Sequence, residues 1–268
     1  MTGRRVNPYL ALGLGVLGLS SAAIFTRLAA APALVIAFYR LGFTAVMLAP
    51  FTMYCDWQEL MSLGRRDLLA CMVAGTFLAG HFALWILSLE FTTVASSVIF
   101  SNLQVIFVLF LSTFWLKERV TFQVLLGVVI AVTGGIIIGA GDFHLGGSYL
   151  KGDLLSLAGA LLFALYILTG RQLRQRLNLL PYVLVLYTTT TAVLWLFGQI
   201  YGVSWYPQPV STVAYCLLLA MIPTIGGHTV LNWVLRFIPA PVVALSVLGE
   251  AVGASIFAFL LFAEVPTA

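Results

Sequence analysis

Glu250 and Arg40 are the residues of this chain with the most chemistry to offer, because each sits inside a long apolar run. A carboxylate at the centre of such a segment costs on the order of 3 kcal/mol unless it is protonated, paired or wetted. Glu250 therefore reads as a proton or substrate-amine site, as a structural hydrogen-bonding residue, or as an ion pair with Arg40. Arg40 is the basic residue deep enough to be that partner, although a long side chain can also carry its head outward to the interface. Two histidines add a second constellation. His81, Trp85 and Ser88 lie at i, i+4 and i+7 and share one helical face, and His228 with Asn232 forms the matching face of a later segment. Each imidazole offers a donor and an acceptor, either to a polar solute in a common cavity or to a carbonyl of a neighbouring helix.

Further polar groups fall on the same pattern. Ser97, Ser101 and Gln104 share a face, with Asn102 beside it. They can line a cavity or bond to adjacent helices. Pro223, followed by Gly226 and Gly227, interrupts one apolar run and marks a hinge or a fixed kink, because proline frees a carbonyl that the helix would otherwise use. Tyr166 is one of several aromatic residues at mid-segment positions and can wall a site for a ring-bearing solute.

The elements that must position these residues are membrane helices. The chain is 62% hydrophobic and 8% charged, against roughly 45–50% and 25% for soluble domains. Runs of about 20 apolar residues recur throughout, the length that crosses the hydrocarbon core, and being apolar all round they do not fit a β-barrel. The reading is an all-α polytopic protein with nine spanning helices at about 8–30, 33–54, 67–89, 93–116, 121–141, 151–172, 179–201, 211–236 and 239–263. No cleavable signal is evident. Arg4, Arg5, Arg65, Arg66, Lys117, Arg119, Arg171, Arg174, Arg176 and Arg236 fall on one side of such a layout, and only Arg27 and Lys151 on the other. The excess of basic residues marks the cytoplasmic side and puts the N-terminus there, in the cell's inner membrane. Because the basic residues punctuate helix ends, the net charge of +4 speaks for topology and against a nucleic-acid partner.

The chain also repeats itself. Gly80-His81 and Gly227-His228 are 147 residues apart, as are Thr44-Ala45-Val46 and Thr191-Ala192-Val193; Glu118 with Thr121 recurs as Glu264 with Thr267. Residues 1–146 and 147–268 then form two repeats, the first of five helices, so that the second enters the membrane from the opposite side. The second repeat shows four helices, and a tenth is expected beyond Ala268. Gly127, Ala131, Gly135 and Gly139 form a small-residue stripe on the fifth helix and are expected to pack against another helix. Glu118 and Thr121 are expected to serve structure, with Thr121 as the N-cap of the fifth helix and Glu118 near that helix's positive end. In this register Gln104 stands where Glu250 stands in the second copy, and Thr76 where Pro223 stands.

The catalytic signatures are missing. There is no HExxH, Walker loop or GxSxG, the three cysteines (Cys55, Cys71, Cys216) have no metal or disulfide spacing, and no cofactor or metal is called for.

The segment Leu116-Lys117-Glu118-Arg119-Val120-Thr121 and its counterpart Phe262-Ala263-Glu264-Val265-Pro266-Thr267 resemble the closing motif LGE-x-x-T of the EamA-like branch of the drug/metabolite transporter superfamily. Leu248-Gly249-Glu250 resembles that branch's L-E-P opening of helix nine, without the proline, and Arg40 is similar to an arginine common in its second helix. The resemblance implies ten helices in two inverted repeats and a solute moved by alternating access, with no enzyme activity. Within the branch the chain looks closest to the YddG-type exporters of aromatic and other neutral amino acids. That closer match implies a central cavity open alternately to the cytoplasm and the outside, and the polar residues read above lead us to expect helices three, four, eight and nine to line it. His81, Trp85, Ser101, Tyr166, His228, Asn232 and Glu250 would contact the solute there, with Glu250 and Arg40 as a proton or ion-pair site. A broad drug or metabolite exporter is the alternative on the same scaffold, and a membrane-embedded enzyme or assembly subunit the alternative outside it. The partners expected are a small-molecule solute and lipid; a monomer suffices for the reading, and the sequence does not set the oligomeric state.

Overall fold

The computed structural model describes residues 6–118, 120–145 and 147–262. Arg4, Arg5, Arg119, Glu264 and Thr267 lie outside them, as do the side chains of Ala131, Gly135 and Gly139. The fold is all-helical, with no strand among the described residues. Among the described residues eight helices are long and apolar enough to cross a membrane: α1 (Pro8–Ala29), α2 (Ala33–Cys55), α3 (Arg65–Ser88), α4 (Val94–Leu116), α6 (Gly147–Arg174), α7 (Leu179–Ile200), α8 (Val210–Val234) and α9 (Ala240–Phe262). Between α4 and α6 runs α5 (Phe122–Leu145), a further helix of 24 residues. The chain is a multi-pass membrane protein.

Cross-links sort the helix ends into two groups. At one end, called near, Asp67 at the start of α3 pairs with Arg176 after α6 at 2.6 Å, and Thr52 of α2 faces the Leu180 carbonyl of α7. At the far end Arg27 of α1 donates to the Thr92 carbonyl, and Thr212 of α8 donates to the Ala29 carbonyl at 2.7 Å. The basic residues that the sequence groups together, apart from the undescribed ones, are at the near end.

Packing follows close approach at small residues. A Cβ on Gly75 would lie 2.7 Å from the Leu186 carbonyl, so glycine there lets α3 cross α7 backbone to backbone. Gly18 of α1 similarly faces the Ile222 carbonyl of α8, at 3.2 Å from where a Cβ would be. α6 packs along α3, α7 along α2, α1 against α8, and α9 against α4. On α5, Gly127 abuts Leu245 of α9, whereas Gly134 has nothing within 4 Å.

Besides α1, which breaks at Ser20 and Ser21, three described helices that meet at the centre depart from regular α geometry. α4 tightens at Leu103, where the Leu103 N–H bonds to the Phe100 carbonyl three residues back, and the helix resumes at Gln104. α9 does the same at Leu248 and resumes at Gly249. Glu250 is thus in the first turn of a resumed helix rather than in the middle of a continuous one, and that end of a helix favours an anion. α8 widens into π-helical winding from Ala220 to Thr229. Pro223 explains the widening locally: without an N–H it cannot satisfy the Leu219 carbonyl, and the Thr224 hydroxyl donates to that carbonyl instead, at 2.7 Å.

Candidate functional site

A central cavity of about 20 Å3 lies where α1, α2, α3, α4, α6, α8 and α9 meet. A space of that size holds about one water.

Arg40 enters from α2 and is fully buried, which rules out the outward extension considered from sequence. Its Nε donates to Thr224 Oγ1 at 2.7 Å, and its guanidinium lies 4.3 Å from the centroid of the Phe82 ring. The hydroxyl that satisfies the proline-freed carbonyl of α8 therefore also anchors the buried cation. Nη1 and Nη2 have no protein acceptor among the described residues. Glu250 lines the same cavity from α9. Among the described residues no ion pair joins it to Arg40, so the two opposite charges share one space without contact.

The aromatic wall is built from α3, α6 and α8. His81 stacks on Trp85 with centroids 6.3 Å apart and planes 10° from parallel, and Phe163 meets His81 edge-on at 4.8 Å. Phe82 meets His228 at 5.2 Å, and Phe163 meets it at 5.8 Å. His81 Nδ1 lies 3.1 Å from the Gly159 carbonyl. A carbonyl only accepts, so Nδ1 carries the proton and Nε2 of the neutral ring is an acceptor. His81 thus combines the two roles that sequence left open: it satisfies a neighbouring helix and it lines the cavity.

Asn102 Nδ2, Gln104 Oε1 and His228 Nδ1 are buried on this cavity without a protein partner among the described residues, like the two Arg40 nitrogens. Native interiors leave few polar atoms unpaired, so five around one small space mark a site built to meet polar ligand or water.

Of the residues expected to contact solute, the structure brings His81, Trp85, Ser101, His228 and Glu250 to this cavity together with Arg40. Tyr166 and Asn232 are not on its lining. Asn232 Nδ2 donates to the Tyr166 hydroxyl at 2.6 Å and to the His228 carbonyl at 2.9 Å, while its Oδ1 is buried without a partner among the described residues. The i, i+4 alignment of His228 with Asn232 assumed uniform winding, but the wide turn ends at Thr229 between them. Ser88 and Ser97 likewise bond to each other, at 2.6 Å, away from the cavity. Pro223, Gly226 and Gly227 sit within the wide turn, where Gly227 admits Leu19 of α1: a Cβ would be 2.7 Å from it. Sequence reasoning missed Phe82 and Phe163. Their signal was weak, since an aromatic residue inside an apolar helix looks the same whether it packs or lines a site.

Glu118 belongs elsewhere, at the near end. It does not serve the start of α5, as its position in the chain suggested. Oε2 accepts from the Ala240 N–H at 3.0 Å, at the first residue of α9, and Oε1 pairs with Arg171 at 2.8 Å. Arg171 also donates to the Leu235 carbonyl, and Arg174 donates to the Asn232 carbonyl at 3.0 Å. These contacts tie the end of α6 to the end of α8 and, through Glu118, to the start of α9. Among the described residues no group of three or more His, Cys, Asp or Glu side chains is placed to hold a metal.

The model of the EamA-like transporter family matches residues 7–140, half of the chain. Twenty-four chains of solved structures match, including a crystal structure that aligns at a TM-score of 0.75 over 98% of this chain and 91% of that chain, with 17% sequence identity. That degree of likeness shows a common fold. No curated protein matches. The match over α1 to α5, on an all-helical membrane fold with a polar central cavity, places the chain by family: it belongs to the EamA-like transporter family.

Proposed function

We propose that this transporter exports small amphipathic metabolites, foremost aromatic and other neutral amino acids, by exposing the central cavity alternately to the two sides of the inner membrane. The observation that carries the reading is the pairing of a buried guanidinium with a carboxylate on one aromatic-walled cavity, without contact between them. A neutral amino acid carries the opposite charges on one end and an apolar side chain on the other. The cavity is lined mainly by polar and aromatic groups, which weighs against a broad, mostly apolar drug site. The sequence carries no Walker loop, so the driving force comes from a gradient or from a partner.

Two inverted repeats, residues 1–146 and 147–268, would make the two access states equivalent in kind. The packing pairs support this: exchanging the repeats turns the α1–α8 contact into α6–α3, and leaves α2–α7 and α4–α9 as they are. On this reading the near end, with the N-terminus, faces the cytoplasm. Export begins when the Glu118–Arg171 pair there parts.

Saturable flux of neutral amino acids into proteoliposomes carrying the full-length chain tests the reading, and its absence across the panel refutes it. Glu250→Gln under an imposed pH gradient tests the proton role. Loss of the response supports it, and unchanged coupling assigns Glu250 to solute binding or structure alone. Reporter fusions at the N-terminus test the orientation, and an external signal overturns it.

A further inference from the structure

Arg40 has three nitrogens that can donate, and only Nε is occupied, by Thr224 Oγ1 at 2.7 Å. Phe82 lies under the face of the guanidinium at 4.3 Å. A planar group held along one edge and one face has lost its freedom to turn. Its remaining donors, Nη1 and Nη2, are buried on the cavity and lack a protein acceptor among the described residues. Two parallel N–H groups in a fixed plane fit the two oxygens of a carboxylate, the geometry in which arginine outperforms lysine.

Resting on the amino acid reading above, we propose that Arg40 receives the solute's carboxylate and that Thr224 is the positioning residue that aims it. Thr224 is suited to this because its own hydroxyl is oriented: its proton goes to the Leu219 carbonyl, the one left over by Pro223, so its oxygen presents a lone pair to Nε. The distortion of α8 is then part of the recognition element, since an unbroken α-helix would direct that hydroxyl to the carbonyl four residues back, Ala220, rather than to Leu219. Charge balance sets the order of solutes. Arg40 and Glu250 offset each other across the cavity, so a zwitterion adds one matching charge to each. An acid without an amine satisfies Arg40, and an amine without a carboxylate leaves Arg40 facing a cation.

The experiment is competition against labelled phenylalanine in proteoliposomes carrying the full-length chain, using 3-phenylpropionate, phenethylamine and phenylalaninamide. Phenethylamine and phenylalaninamide are expected to compete at least about tenfold more weakly than phenylalanine, with 3-phenylpropionate between, as the loss of a charge-assisted hydrogen bond requires. Thr224→Val should raise KM for phenylalanine about tenfold, Thr224→Ser should restore it, and Arg40→Lys should not behave as wild type. The panel on the wild-type protein needs no variant, so the test stands even if Thr224→Val or Arg40→Lys fails to fold. Equal competition by phenethylamine overturns the inference while leaving amino acid export intact, as does an equal KM for Thr224→Val and Thr224→Ser. Absence of amino acid flux altogether removes both.

Discussion

Glu118→Ala is the perturbation whose cost the structure lets one build up contact by contact. α9 begins after Pro239, which offers no side-chain cap, and the Ala240 N–H is served by Glu118 Oε2 from another helix. Losing a cap of this kind costs about 1 kcal/mol. The pair with Arg171 at 2.8 Å is only 17% and 14% exposed on its two sides, and its loss adds about 1 kcal/mol, at the upper end for exposed pairs. Removing a negative charge from the positive start of α9 adds about 0.5 kcal/mol. Glu118→Ala is therefore expected to lose about 2–3 kcal/mol, which is tenfold or more in the unfolding equilibrium. Glu118→Gln keeps an acceptor for Ala240 but not the charge, and should lose about half as much. The measurement is unfolding of the purified protein in mixed detergent micelles titrated with SDS, run alongside Arg171→Gln and the double variant. A coupling of at least 0.5 kcal/mol between the two sites is expected. If Glu118→Gln falls as far as Glu118→Ala, or if neither differs from wild type, the capping account is wrong.

Other outcomes follow from the same contacts. Gly75→Ala should destabilise by about 1–3 kcal/mol, because its Cβ would press on the Leu186 carbonyl, a backbone atom that cannot swing aside. Gly13→Ala, with nothing within 4 Å, should be neutral or stabilising by up to about 1 kcal/mol in the same unfolding assay. Phe163→Ala removes the ring shared by His81 and His228 and should raise KM for aromatic solutes up to about tenfold, with little change for alanine, in proteoliposome uptake. Pro223→Ala restores a donor to the Leu219 carbonyl and should raise KM for carboxylate-bearing solutes several-fold with a smaller change in kcat; an unchanged KM would separate Thr224 from the proline break.

Much of this was legible in the chain itself. The length and spacing of the apolar runs set the membrane helices, because lipid leaves only helices and closed barrels to satisfy the backbone and runs apolar all round do not suit a barrel. Arg40, Glu250 and the two histidines stood out because polar groups are costly in such segments, and they do share one cavity. Tyr166 and Asn232 looked equally suitable and bond to each other off the cavity lining, which no spacing rule foretells. Glu118 was read with the helix that follows it, since sequence shows only neighbours along the chain. The helix it caps begins 122 residues later.

What sequence determined is the class of molecule and the inventory of costly residues, both of which follow from local composition and the bilayer's thickness. What the tertiary structure decided is which of those residues have a protein partner. The Leu219 carbonyl, the Thr224 hydroxyl and the Arg40 guanidinium come from two helices 184 residues apart in the chain, and their order of donation leaves two nitrogens facing the cavity. Hydrogen bonds saturate, so which group is left over depends on every neighbour at once, and those neighbours exist only after the helices have packed.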